Sequence, residues 1–386
     1  MSLLSDTNVA LGVTGSIAAV KTVELAHELR RRGASVRAVM TDSASHILDP
    51  WAAAFATDEK VTTEITGAVE HVELCGREGW ADVLLIAPCT ANTVGKLAAA
   101  IDDTPVTTCA TTALGAGVPV VVAPAMHEPM YDHPGVLDAI ERVESWGVPF
   151  VEPRIEEGKA KIASEETIVL EAARAAGPSP LDGEHVVVTG GATAERVDPV
   201  RVLTNRASGK TGRAVARACY AKGADVTLVE GSVHGSEPAP WADLISVESA
   251  AELCEATMDA VSDADALVST AAVSDYTVDA AAEKIRSGQE LTLELKPTSK
   301  VIDAVREARP DLPIVGFKAE TSGDDEAMVA AARETLERVG LEFVVANDAS
   351  VMGADATRAL FVTGNASEAF EGTKEELGLA VADRLL

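Results

Sequence analysis

Residues 189–212 read Thr-Gly-Gly-Ala-Thr-Ala-Glu-Arg-Val-Asp-Pro-Val-Arg-Val-Leu-Thr-Asn-Arg-Ala-Ser-Gly-Lys-Thr-Gly. They follow an apolar run at 185–188 and end where a helical pattern begins, near Lys210. Glycines at the head of a helix leave backbone N–H groups free to cradle phosphate. The spacing is neither the Walker A pattern nor the dinucleotide fingerprint. A second glycine turn, Gly-Val-Thr-Gly-Ser-Ile-Ala-Ala, occupies residues 12–19. On its own it reads as a tight connection between strand and helix. Three further segments close strands: Thr41 with Ser43, residues 87–93, and residues 124–131. Ligands of open α/β sheets bind at that carboxyl edge. His71 is of the residue type most often used for proton transfer; by position alone it reads as a helix-surface histidine.

The elements that must position these groups alternate. Apolar runs at 9–13, 35–40, 82–87 and 118–123 read as strands. The last two are continuous, as expected for strands buried on both faces. Helical patterns cover 17–32, 91–100 and 135–146. Residues 177–183, with two prolines and two glycines, read as a linker. A second series follows, with strands at 185–189, 225–229, 266–269, 313–317 and 342–346. The expectation is α/β: two doubly wound Rossmann-like domains, 1–176 and 184–386, with mainly parallel sheets and right-handed crossovers.

Bulk properties narrow the function classes. The chain has 386 residues, 47% hydrophobic, which is enough for two cores. No apolar run is long enough to span a bilayer, and no secretory leader is visible, so the sequence predicts a cytoplasmic protein with no membrane partner. Five cysteines are scattered without a CxxC pair, which fits a reducing compartment. The net charge of −29 argues against a nucleic-acid partner. Spread along the chain with lysine scarce, that charge suits a halophilic protein whose self-repulsion is screened by salt; an ordinary acidic protein is the alternative.

The stretch 189–212 resembles the signature of phosphopantothenate–cysteine ligase, the second half of the bifunctional phosphopantothenoylcysteine synthetase/decarboxylase family of coenzyme A biosynthesis. The resemblance implies CTP as co-substrate, with Mg²⁺ carried mainly by its phosphates. It implies that Asn205 holds the acyl-nucleotide while cysteine attacks. Ser269, Thr270, Ala271, Ala272 and Asp275 match the segment that admits base and ribose. Lys284 matches the lysine on the triphosphate, and Phe317 with Lys318 the segment that packs on the base. Gly191, Ser208 and Lys300 complete the implied nucleotide site. Where bacterial members carry lysines, this chain has Thr335 and Val339, with Arg333 and Arg338 on adjacent turns.

The first 175 or so residues resemble the flavin-dependent cysteine decarboxylases, whose PASANT and PxMNxxMW motifs fall at 88–93 and 124–131. This implies flavin mononucleotide (FMN), held by Gly15, Ser16, Ile17, Thr41, Ser43, Cys89, Thr90, Ala91, Asn92 and Met126. His71 matches the family's active-site histidine. Two departures stand out: His127 replaces the usual asparagine, and no cysteine lies in the expected flap, where residues 156–162 read Glu-Glu-Gly-Lys-Ala-Lys-Ile. Lys159 or Lys161 is then the candidate proton donor; otherwise both belong to a solvated loop. Archaeal members look similar at both places. The resemblance implies small-molecule substrates, 4′-phosphopantothenate and L-cysteine. It also implies a homo-oligomer with trimeric decarboxylase and dimeric ligase contacts, up to a dodecamer. The alternative keeps only the ligase active, with the first domain a flavin-binding regulatory or oligomerisation module.

Overall fold

The computed structural model describes residues 2–156, 159–231, 235–288, 290–320, 324–348 and 356–385. The chain forms two units, Met1–Pro178 and Ser179–Leu386.

In the first unit, β1 (Asn8–Val13), β2 (Ser35–Met40), β3 (Val83–Cys89) and β4 (Val120–Pro124) form a parallel sheet of order β2-β1-β3-β4. Single bridges from Thr62 to Val39 and from Phe150 to Val122 extend it at both edges. All seven residues of β3 are buried. Successive side chains of a strand point to opposite faces, so the sheet is covered on both sides. The chain order reverses between β1 and β3, which creates the crevice where such sheets bind ligands.

The helical pattern at 17–32 resolves into two pieces. Ile17–Lys21 is a 3₁₀ turn and Thr22–Arg31 is α-helix. Ser16 starts the turn by accepting from the Ala18 N–H at 3.3 Å. Tight turns of this kind commonly open helices. The helix at Pro134–Glu144 starts with proline at its first position, where a missing N–H costs nothing. Residues 157 and 158 of the expected flap lie outside the described residues. The strands on either side, Arg154–Glu156 and Lys159–Lys161, pair antiparallel, and the second also pairs with Met126–His127. Lys159 and Lys161 therefore belong to a small sheet, a correction to the solvated loop. Lone short strands carry almost no apolar alternation, so the pairing was not legible.

In the second unit, β5 (His185–Gly191), β6 (Asp225–Gly231), β7 (Asp243–Val247), β8 (Ala266–Ser269), β9 (Ile314–Glu320), β10 (Phe343–Asp348), β11 (Ala356–Val362) and β12 (Ser367–Thr373) form one sheet. Its order is β7-β6-β5-β8-β9-β10-β11-β12. The first six strands are parallel, and β11 and β12 join antiparallel. The winding reverses between β5 and β8. Each of the five strands expected from sequence is present. The antiparallel pair was not anticipated, because the polar residues of β12 hide its period.

Candidate active sites

In the first unit, hydrogen bonds tie the strand-end segments on either side of the reversal point together. The Thr14 hydroxyl donates to the Pro88 carbonyl at 2.8 Å and accepts from the Thr90 N–H at 3.0 Å. The Ser16 hydroxyl donates to the Ala125 carbonyl at 3.0 Å, which joins the turn to the segment carrying Met126. Thr41 caps the short helix Asp42–Ser45, and its hydroxyl lies 3.1 Å from that of Ser43. A Cβ built on Gly15 would stand 2.5 Å from Ser43 Oγ, so only glycine admits this approach. Thr90 caps the helix Ala91–Ala98, which begins with Ala91 and Asn92. Cys89 is buried, and burial pushes its thiol well above the ordinary range, so it behaves as a small apolar residue. Ile17 is 75% exposed beside this cluster.

The result is a ring of neutral hydroxyls and helix-starting N–H groups around Gly15. His127 is exposed, at the cap of Glu128–Tyr131, and its backbone pairs with that of Lys159. Lys161 is half-buried. None of the bonds in the ring reaches His71, which sits on the helix Glu70–Cys75 packed against Pro105–Ala116. Its Nδ1 is buried and has no hydrogen-bond partner. Buried polar atoms are nearly always satisfied, so this nitrogen stands out within the helix. Val69, just before this helix, adopts φ +53°, a costly conformation for a β-branched residue. Glu70 is bonded by the N–H and hydroxyl of Thr66 at 2.8 and 2.5 Å, and these bonds hold its carboxyl below the ordinary range.

In the second unit, a cavity of about 670 Å³ opens at the reversal point between β5 and β8. Gly191, Asn205, Ser208, Ser269, Thr270, Ala271, Ala272, Asp275, Lys300, Phe317 and Lys318 all line it. Residues that are separated by up to 127 positions in the chain thus meet at one sheet edge. The Asn205 amide donates to the Ala272 carbonyl at 2.6 Å and accepts from the Ala207 N–H at 3.1 Å. A carboxamide has two N–H bonds, so one remains for a ligand. Gly191 adopts φ +75°, and a Cβ there would lie 2.0 Å from the Gly231 carbonyl oxygen. Lys300 pairs with Asp275 at 2.5 Å, and Lys318 donates to Thr335 at 3.4 Å. Lys210 and Lys374 add two more cations to the wall; both were visible in sequence beside the motifs.

Lys284 is exposed and does not line the cavity. Its segment is pinned elsewhere: the Ile285 N–H donates to Asp198 at 3.1 Å, and Arg201 donates to the Ile285 carbonyl at 3.2 Å. Asp198 also accepts from the Val200 and Arg201 N–H groups and from the Arg201 guanidinium. Burial pushes its carboxyl up, but those bonds and the Arg201 charge outweigh burial and hold it below the usual range. This hub turns the hairpin of Ala194–Arg196 and Val202–Thr204. Sequence reasoning missed it, although Asp198-Pro199 was a turn signal. Arg333 and Arg338 do not line the cavity either. Arg338 pairs with Asp303 at 2.7 Å, and Arg333 reaches the Thr363 carbonyl at 3.5 Å.

Known proteins share this arrangement of two halves. Residues 181–386 match the family described as DNA/pantothenate metabolism flavoprotein C-terminal domain, and residues 2–176 match the flavoprotein family. The coenzyme A biosynthesis bifunctional protein CoaBC of Thermococcus kodakarensis is 48% identical over 358 residues, covering 92% of this chain and 88% of that one. The chain belongs to the bifunctional coenzyme A biosynthesis family. Relatives of the same description in Methanocaldococcus jannaschii and Bacillus subtilis are 34% and 36% identical, covering 99% and 91% of this chain and 94% and 88% of theirs. A crystal structure of the DNA/pantothenate metabolism flavoprotein from Streptococcus pneumoniae is 28% identical, with a TM-score of 0.47, and covers 52% of this chain and 97% of that one. Among the described residues, no helix is long and apolar enough to cross a membrane. The bifunctional family accounts for both halves, so the flavoprotein half is part of an enzyme rather than a silent carrier.

Proposed function

We propose that the second unit joins 4′-phosphopantothenate to L-cysteine with CTP, and that the first unit decarboxylates the product with FMN. The observation that carries this reading is the cavity between β5 and β8. It combines a glycine floor, four lysines and the Asn205 amide, and eleven residues assigned from sequence converge on it.

In the ligase reaction, the substrate carboxylate attacks the α-phosphorus of CTP and pyrophosphate leaves. Lys210, Lys300, Lys318 and Lys374 offset the phosphate charge, and Mg²⁺ carried by the nucleotide would add to that neutralisation. The cysteine amine then attacks the acyl carbon, CMP leaves and the amine gives up its proton. The free N–H of Asn205 meets the charge that grows on the acyl oxygen. Asp275 faces the ribose once a ligand competes for Lys300.

The first unit fits FMN. The Gly15 approach to Ser43 leaves a cradle that a side chain would fill, Thr41 and Ser43 offer hydroxyls to a phosphate, and Ser16, whose hydroxyl donates to the Ala125 carbonyl, holds the turn beside it. Ile17, Cys89, Thr90, Ala91, Asn92 and Met126 would border the ring system. When bound, the flavin supplies reversible two-electron acceptance from the cysteinyl thiol end, so no outside oxidant is needed. The orphaned His71 nitrogen moves the proton at the substrate thiol or carboxylate. His127 donates to the substrate carboxylate in place of the family's asparagine. Lys159 or Lys161 returns the final proton. Trimeric contacts of the first unit and dimeric contacts of the second complete the reading, as does a cytoplasmic, halophilic setting. In that setting the melting temperature rises as KCl is added; a falling melting temperature would remove the halophilic part.

The test supplies 4′-phosphopantothenate, CTP, Mg²⁺, FMN and carboxyl-labelled L-cysteine to the whole protein. The expected products are pyrophosphate, CMP and labelled CO₂. Pyrophosphate without CO₂ removes the decarboxylase reading, and no pyrophosphate removes the ligase reading.

A further inference from the structure

Charged side chains rarely stand buried at the carboxyl edge of a central parallel strand. Glu230 does, on β6, the strand that flanks β5 on the side away from β8. Its side chain is 7% exposed, and it forms a two-pronged ion pair with Arg213, which is 10% exposed. Arg213 Nε donates to Glu230 Oε1 and Nη2 to Oε2, both at 2.7 Å, and Nη2 also donates to the Glu237 carbonyl at 2.8 Å. Neither residue lines the cavity, yet both touch what does. Arg213 lies on the first turn of the helix Lys210–Ala221, whose cap is Gly209. Gly209 has φ +75°, and a Cβ there would stand 3.3 Å from Glu230 Oε1 and 3.3 Å from the Cα of Gly191. The register of β6 on β5 sets Glu230 opposite Gly190 and Gly231 opposite Gly191. A carboxylate therefore backs the glycine floor on which the polyphosphate is proposed to rest.

We infer that Arg213 and Glu230 are a positioning pair for the polyphosphate end of the cavity, in which Arg213 neutralises the carboxylate behind Gly209 so that an anion can settle there. The inference rests on the nucleotide reading of this cavity. Like charges brought close in a desolvated place repel strongly. The repulsion scales with ligand charge, so it acts on a triphosphate far more than on a monophosphate. A pair that merely held the fold together would weaken both alike.

The experiment is calorimetric titration of the whole protein with Mg·CTP and, separately, CMP. Arg213→Gln strands the carboxylate, and its affinity for CTP should fall about tenfold or more while that for CMP falls less than about threefold. Glu230→Gln leaves only the cation and should bind CTP at least as tightly as the parent. The double variant R213M/E230L removes both charges at similar volume, a replacement that buried pairs commonly tolerate. It should return CTP affinity to within about threefold of the parent. Melting temperatures without ligand identify which variants are folded, and either Gln variant or the double variant decides the sign. Parent-like CTP binding by Arg213→Gln, equal losses for CTP and CMP, a tenfold weakening in Glu230→Gln, or a double variant as weak as Arg213→Gln would each overturn the pair's role. A parent protein that binds no CTP would instead overturn the nucleotide reading beneath it.

Discussion

The two units use one topological device with opposite chemistry. Each reverses its winding beside its first strand and places a glycine turn at the reversal. In the first unit that turn meets hydroxyls: Ser43 closes on Gly15, Thr41 bonds Ser43, and Thr14 and Ser16 tie the turn to the neighbouring strand ends. In the second, the turn meets cations, with Lys210, Lys300, Lys318 and Lys374 in one cavity wall. The difference matches the charge each site is proposed to hold. A flavin's single phosphate is satisfied by helix-starting N–H groups and hydroxyls. A triphosphate that must also lose pyrophosphate needs positive charge where negative charge develops. In a chain with net charge −29, gathering four lysines in one cavity is a local reversal of the global field.

The largest expected effect breaks the two sites apart. His71→Asn should abolish CO₂ release, a loss of about 10²–10⁴ for a missing proton-transfer group. Pyrophosphate release should stay within about twofold, because the ligase cavity is built from the other unit and shares no partner with His71. Full CO₂ release by this variant would return His71 to the role of a helix-surface residue.

Next comes Asn205→Asp. It removes both N–H donors and turns a carboxylate oxygen toward the Ala272 carbonyl, now 2.6 Å from the amide. Transfer to cysteine should slow by about 10²–10³. Pyrophosphate release measured without cysteine should persist, because the lysines are untouched. A variant that fails at CTP binding alone would mean that Asn205 is not the transfer residue.

The cation-against-hydroxyl contrast sharpens with Lys300→Ala. The expected rise in KM for CTP is about tenfold, the order of one charge-assisted hydrogen bond, while FMN retention, read by absorbance, stays constant. Lys284→Gln serves as its partner, since Lys284 lies outside the cavity wall. A larger effect from Lys284 than from Lys300 would show that the segment moves to reach the nucleotide.

The smallest effect is pH-dependent and confined to the second unit. Asp198 is held below the ordinary carboxylate range, so its stabilising contribution is complete above its unfolded value of about 3.9 and is lost as pH falls through the lower folded value. Asp198→Asn should lower the melting temperature of the second unit at pH 7 and flatten its decline in acid. An unchanged acid profile would mean that the hub contributes nothing to stability.

Much of this was legible in the chain. Continuous apolar runs predicted β3 and β4, and the strand–turn–helix order predicted parallel winding, because local period and backbone sterics act over a few residues. The resemblance carried Asn205, Ser208 and the 269–275 segment to the cavity they line. What only the tertiary structure decided is long-range. The pairing of Met126–His127 with Lys159–Lys161 has no sequence period. The hub at Asp198 draws on donors 2 to 87 residues away, and the Arg213–Glu230 pair spans 17. Which of two plausible lysines lines the cavity depends on where Ile285 is pinned, not on the residues beside it. Sequence fixes what a residue can do; the folded sheet fixes which residues share an edge, because burial and hydrogen-bond satisfaction are settled between segments that the chain keeps far apart.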